Sequence, residues 1–278
     1  MAGLTTCFEL QPFKIDSIIA HVIKNDRQVG VKVANGNNIM ETPPESLQHL
    51  VDSLEQLELP SIRWIRRAEN HIVTPGNRVG IFSSSFNPMT VAHTKLIELA
   101  QRTFQLDEIV LLLAKNNVDK GVFGFSLVER LLMMRVYAKS FDNYSVVVSS
   151  HGRFIDKIEA LKRELPPTTQ FSFIVGYDTL IRIFEPKYYD DLRSALNELF
   201  GQCRLIVANR SSFDDQSITD FLGNWPEFAT EIDLVALDDF YKEISSSEIR
   251  RRLENRQSID HLVPKEIETF LAARSNDI

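Results

Sequence analysis

The run Arg78-Val79-Gly80-Ile81-Phe82, Ser83-Ser84-Ser85-Phe86-Asn87-Pro88-Met89-Thr90-Val91-Ala92-His93, Thr94-Lys95-Leu96-Ile97-Glu98-Leu99-Ala100 decides the fold. Val79, Ile81 and Phe82 suit a short buried strand. Ser83 to Ser85, Asn87 and Pro88 interrupt it with turn chemistry. Leu96, Ile97, Leu99 and Ala100 then recur at helical spacing. A strand that feeds a helix through a polar loop brings backbone N–H groups and the positive end of a helix dipole to one point, where a phosphate would sit. Thr90 and His93 are three apart at the helix entrance, so they are expected to share a face and point into one pocket. Spacing alone also allows a plain helix cap, Thr90, beside an ordinary surface histidine.

Working outward, the pattern alternates. Glu108 to Leu113, Ser145 to Val148, Phe171 to Val175, Cys203 to Ala208 and Ile232 to Leu237 read as strands. Ser126 to Ala138, Phe154 to Leu165 and Asp191 to Phe200 read as helices. Such alternation predicts an α/β fold, a doubly wound parallel sheet whose ligands sit at the carboxyl ends of the strands. Residues before about Asn77 differ. Gln28 to Val33 alternates polar and apolar, Asn35 to Asn38 is a turn signal, and Leu47, Leu50, Val51, Leu54 and Leu57 form an amphipathic helix with Ser46 as its N-cap. The expected organisation is a small α+β N-terminal extension, 1–76, with no chemistry of its own that can be named, and a main domain, 77–278. Thr74-Pro75-Gly76-Asn77 is the hinge between them.

Composition narrows the classes. The 278 residues are 44% hydrophobic and 25% charged, as in an ordinary globular protein. A net charge of −7 argues against broad binding of nucleic-acid polymers or anionic membranes, while leaving room for a local phosphate site. Cys7 and Cys203 offer neither a disulfide framework nor zinc-ligand spacing. No apolar run approaches about 18 residues, and the start Met-Ala-Gly-Leu-Thr-Thr-Cys has no charged region followed by an apolar one. A reducing compartment, cytoplasmic or nuclear, is the expectation. Oligomeric state is left open, a homo-oligomer included.

Three further constellations carry chemistry. Lys115, Lys120 and Gly121 follow the second strand, where lysines could act as point charges on phosphates or simply be solvated. Gly176-Tyr177-Asp178 closes a strand and places a carboxylate at its end, suited to a ribose hydroxyl, a substrate amide or a hydrated metal, or else to capping the next helix. Ile244-Ser245-Ser246-Ser247-Glu248-Ile249-Arg250 puts three hydroxyls at a helix start and a guanidinium one turn on. That set converges on an anion, or forms a capping box of Ser245 with Glu248.

Ser85-Phe86-Asn87-Pro88-Met89-Thr90-Val91-Ala92-His93 resembles the first signature of the nucleotidylyltransferase superfamily, and Ile244 to Arg250 resembles the second, Ile-Ser-Ser-Thr-x-x-Arg, with Ser247 in place of Thr. Thr three residues before His is similar to the nicotinamide and nicotinate mononucleotide adenylyltransferases of eukaryotic type; bacterial relatives usually carry His there. Gln257 to Pro264 resembles the family's ending, and the resemblance runs from about Asn77 to the C-terminus. It implies a Rossmann-like nucleotidylyltransferase domain over 77–278 that transfers the adenylyl group of ATP to a pyridine mononucleotide and releases pyrophosphate. It implies His93 with Thr90 at the α-phosphate, and Lys120, favoured over Lys115, with Arg250, Ser246 and Ser247 at the β- and γ-phosphates. It further implies nucleotide contacts from Ser84, Ser85, Phe86, Asp178 and Ser245, and Mg²⁺ held mainly through phosphate and water.

Two departures bear on substrate choice. Ser84 stands where the family has Gly, and Tyr188-Tyr189 occupies the neighbourhood of a ring-stacking Trp. Competing expectations are therefore a superfamily member with another phosphorylated acceptor, such as phosphopantetheine or a phospho-alcohol, and a nucleotide-binding regulatory protein with weak ATPase activity.

Overall fold

The structure, a computed structural model, describes residues 44–54, 57–115, 124–209 and 215–275. Its centre is a seven-stranded sheet of β1 (Ile62–Arg66), β2 (Arg78–Ser83), β3 (Glu108–Ala114), β4 (Tyr144–Ser149), β5 (Gln170–Gly176), β6 (Cys203–Ala208) and β7 (Ile232–Val235). The strands lie in the order β1-β4-β3-β2-β5-β6-β7. All neighbours are parallel except β1, which joins β4 antiparallel with Ile62 opposite Ser149. The expected doubly wound parallel sheet is present, with one antiparallel edge strand.

The parallel strands read as apolar runs because both faces are covered. Along β3, Ile109, Leu111 and Leu113 enter one core and Val110 and Leu112 the other, as the two-residue period of a strand dictates. On the first face lie α1 (Pro44–Ser53), α2 (Val91–Phe104), α3 (Leu127–Ala138), α9 (Ser246–Glu254) and α10 (Lys265–Ser275); on the second lie α4 (Phe154–Glu164), α5 (Tyr177–Ile183), α6 (Leu192–Phe200) and α7 (Asp215–Gly223). One turn, α8 (Asp239–Lys242), leads into α9.

The described residues before Asn77 share the core and the sheet of the rest of the chain. Leu47, Val51 and Leu54 of α1 enter the first core, and β1 extends the sheet. The Gln28–Val33 strand and the Asn35–Asn38 turn lie outside the described residues. Ser46 is not an N-cap: α1 already begins at Pro44, a residue suited to the first turn because its missing N–H leaves no bond unmade. The last strand ends at Val235 rather than Leu237, whose N–H instead donates to Asn209 Oδ1 at 2.8 Å. Asp191 and Ser126, expected as first helical residues, are N-caps, accepting from the N–H of Ser194 and Glu129.

A buried carboxylate fastens the amino-terminal segment to the sheet. Glu108, fully buried at the start of β3, accepts from Arg67 Nη1 at 2.5 Å, from the Ser145 hydroxyl at 2.5 Å and from the Ile72 N–H at 2.9 Å. Arg67 also lies 4.0 Å above the Trp64 ring. Removing one partner of such a set strands the others away from water, at about 3–5 kcal/mol. Glu108→Ala is therefore expected to lose about 3 kcal/mol or more in urea unfolding, with Glu108→Gln losing less; a loss under about 1 kcal/mol would contradict this.

Candidate active site

The strand order reverses between β2 and β5, and in an open parallel sheet the crevice at that point is where ligands bind. Two adjoining pockets open there. One, with a volume of about 70 Å³, has His93, Gly176 and Tyr241 on its walls; the other, of about 430 Å³, has Lys157, Tyr188 and Tyr189. They share Ser83, Ser84, Asp178 and Thr179.

At the entrance of α2, Thr90 and His93 form a reciprocal capping box. The Thr90 N–H donates to His93 Nδ1 at 3.0 Å, the Thr90 hydroxyl lies 2.9 Å from the same nitrogen, and that hydroxyl accepts from the His93 N–H at 3.4 Å. A nitrogen that accepts a backbone N–H is deprotonated, so a neutral His93 carries its proton on Nε2. Phe82 and Phe86 flank the imidazole with ring centroids 5.6 and 5.9 Å away. Each sequence reading of this pair holds in part: Thr90 caps the helix, and His93 alone faces a pocket. Thr90 itself is fully buried and lines neither pocket, so it positions His93 rather than facing the same space. The Phe86 ring is also fully buried; with φ at 44°, its contribution is to turn the backbone. Ser84 and Ser85 line the larger pocket, and Arg130 fixes the loop by donating to the Ser85 carbonyl at 3.1 Å.

The second motif docks on the first. Arg250 Nη1 donates to the Asn87 carbonyl at 2.5 Å and Nη2 to the Ser247 hydroxyl at 3.1 Å, while the Ser246 hydroxyl donates to the Pro88 carbonyl at 2.8 Å. Gly124 (φ +82°) completes the joint: a Cβ there would stand 2.7 Å from Arg250 Cδ and 2.8 Å from Asn87 Oδ1, so only glycine fits. Ser245 caps α9 by accepting from the Glu248 N–H at 3.2 Å. The box is left open, however, because the Glu248 carboxylate turns to Arg251 and Arg252. Those guanidinium groups hold the Glu248 pKa down to about 2. The family-like tail closes the same corner, the Leu262 carbonyl accepting from the Val91 N–H at 3.0 Å.

Gly176, not Asp178, is the N-cap of α5; Asp178 is exposed on the wall common to both pockets. Lys115 turns away from the crevice and donates to the Val51 carbonyl of α1 at 2.8 Å. Lys120 lies outside the described residues. Tyr188 and Tyr189 do line the larger pocket, the Tyr189 hydroxyl donating to the Ile183 carbonyl at 2.8 Å.

Lys157 was not foreseen. It projects from α4 into the larger pocket, buried to 4% exposure, and donates to the Ser83 hydroxyl at 3.0 Å. Its signal in the sequence is a lysine on the stripe Phe154, Ile158, Leu161, where the helical period demands an apolar side chain.

Known proteins bear on this geometry. The family model described as Cytidylyltransferase-like matches residues 81–252. A Schizosaccharomyces pombe protein named as a nicotinamide mononucleotide adenylyltransferase is 33% identical over 145 residues, 49% of this chain and 57% of the relative; the chain thus spans little over half of that protein. A Moorella thermoacetica protein named as a nicotinate-nucleotide adenylyltransferase is 26% identical over 73% of this chain and 93% of its own length. Among solved structures, that of Plasmodium falciparum nicotinic acid mononucleotide adenylyltransferase complexed with NaAD is similar with a TM-score of 0.55, covering 72% of this chain and 97% of that one. At 21% identity this last likeness is one of fold.

Burial pushes the Lys157 ammonium down to about 8 from 10.5, with Asp156 opposing and Arg182 adding to the shift. Between those two pH values the unfolded chain holds a proton that the folded chain has released, so this group's contribution to stability rises with pH across the window. Lys157→Met is accordingly expected to be more stable than the parent at pH 7, by a margin that narrows by about 3 kcal/mol as pH reaches 10.5. Urea unfolding at pH 7, 9 and 10.5 measures it; a margin independent of pH would contradict it.

Proposed function

We infer that this chain, which belongs to the cytidylyltransferase-like family, transfers the adenylyl group of ATP to a pyridine mononucleotide, nicotinamide or nicotinate mononucleotide, and releases pyrophosphate. The observation that supports the reading is the joint between the two motifs, in which Arg250 and Ser246 at the start of α9 hold the Asn87 and Pro88 carbonyls of the loop that leads from β2 to the His93 helix. The attacking group is a phosphate that is already anionic, so the reaction needs neither a covalent residue nor a strong base. What it needs is positioning, and opposing charge at the phosphorus.

His93, with its Nε2 proton, serves the α-phosphate; Thr90 acts through it by fixing the ring. Ser247, Arg250 and Lys120 serve the β- and γ-phosphates and the departing pyrophosphate, while the Ser246 hydroxyl keeps α9 against Pro88. Ser84, Ser85 and Asp178 contact the nucleotides from the shared wall, and Tyr188 and Tyr189 offer aromatic faces to the acceptor ring. Mg²⁺ suits this donor set: it tolerates few protein ligands and keeps water and substrate phosphates around it, and Asp178 is the exposed carboxylate on the wall that would approach it. When bound, it neutralises the triphosphate. A cytoplasmic or nuclear setting fits Cys203, a buried free thiol whose pKa burial pushes up to about 12, and among the described residues no helix is long and apolar enough to cross a membrane.

With ATP, Mg²⁺ and a pyridine mononucleotide, the protein is expected to form the dinucleotide and pyrophosphate in equal amounts. His93→Ala should lower kcat about 10²–10³-fold, the usual cost of one transition-state donor, with KM for ATP changing far less. A His93→Ala enzyme of normal rate would remove His93 from this role, and phosphate release without dinucleotide would overturn the reading.

A further inference from the structure

The acceptor's ring can carry an amide or a carboxylate, and the two relatives described above are named for different forms. We propose that Lys157 chooses between them: its ammonium receives the ring carboxylate of nicotinate mononucleotide and makes that acid the preferred acceptor. This rests on the adenylyltransferase reading given above and deepens it.

Lys157 is a cation without an anion in contact. Among the described residues its side chain has two partners, the neutral hydroxyl of Ser83 at 3.0 Å and the face of the Phe154 ring at 4.7 Å. The carboxylate next to it in sequence, Asp156, is engaged instead by Arg153, with Nε at 2.9 Å and Nη2 at 2.8 Å. A buried ammonium left this way is costly, and a carboxylate brought to it by a ligand offsets that cost with a charge-assisted bond. The surroundings identify which end of the acceptor it meets. Phe154, Tyr188 and Tyr189 wall the same pocket and suit a flat ring, whereas the His93 side, where the two phosphates must meet, is the adjoining pocket across Ser83 and Ser84. Arg182 also lines the larger pocket but is exposed, so its charge is shared with solvent and selects less strongly.

A hydrogen bond to a charged group contributes roughly 10- to 100-fold in affinity. The test measures kcat/KM for nicotinate mononucleotide and for nicotinamide mononucleotide with the full chain, Lys157→Met and Lys157→Arg. The parent enzyme is expected to favour the acid by at least about 10-fold, the ratio to collapse toward one in Lys157→Met, and Lys157→Arg to restore part of it. A parent enzyme that uses the amide as well as the acid would overturn the proposal without any variant. An equal loss on both acceptors in Lys157→Met would also overturn it, assigning the ammonium to the phosphate they share. Turnover of neither acceptor by the parent would instead bring down the adenylyltransferase reading, and this inference with it.

Discussion

Two consecutive carbonyls, Asn87 and Pro88, accept from Arg250 and Ser246 across more than 150 residues of chain and tie the loop after β2 to the start of α9. The loop after β2 has no regular structure of its own, so its carbonyls must find donors elsewhere. The second motif supplies them. Asn87 doubles the constraint, since its side-chain oxygen accepts from the Phe125 N–H at 3.0 Å while its main-chain oxygen takes the guanidinium. The Arg250 charge is thereby partly withdrawn from water, and desolvation lowers its pKa. An arginine so held has little side-chain freedom left to lose.

The topology explains why the joint falls where it does. Because β2 is central and its neighbours β3 and β5 lead away in opposite directions, the helices after β2 and β5 cover opposite faces and leave a crevice between their starts. The loop after β2 and the Gly176–Asp178 turn after β5 form the wall that separates the small pocket from the large one. One side of the crevice thus carries the histidine aimed by its cap, and the other the aromatic residues and Lys157. Ser84 lines both pockets, the larger of which has a volume of about 430 Å³.

Much of this was legible in the residues. Continuous apolar strands and 3.6-period helices gave the alternation of strands and helices, while the helix Asp215–Gly223 was not foreseen; the first motif falls on the loop at the reversal point of the sheet. What escaped had physical reasons. Strand β1, Ile62–Arg66, breaks the two-residue alternation at the adjacent Trp64 and Ile65 and spans only five positions, too short and irregular to distinguish from a loop. Thr90 and Phe86 were expected at the nucleotide because their motif is, yet a motif conveys which segment matters and not which side chains face inward; both are buried supports. Ser46 looked like a cap because serine suits one, while the proline before it already opened the helix. Lys157 escaped because nothing in sequence says whether a lysine on an apolar stripe reaches out to water or stays in, and here it stays in.

The most direct test of the account follows the phosphates of ATP separately. With ATP labelled at the α-phosphorus or at the γ-phosphorus and a pyridine mononucleotide as acceptor, attack at the α-phosphorus predicts that all converted α-label appears in the dinucleotide and all converted γ-label in pyrophosphate. Recovery of the γ-label as inorganic phosphate, with the α-label left in ADP, would contradict it.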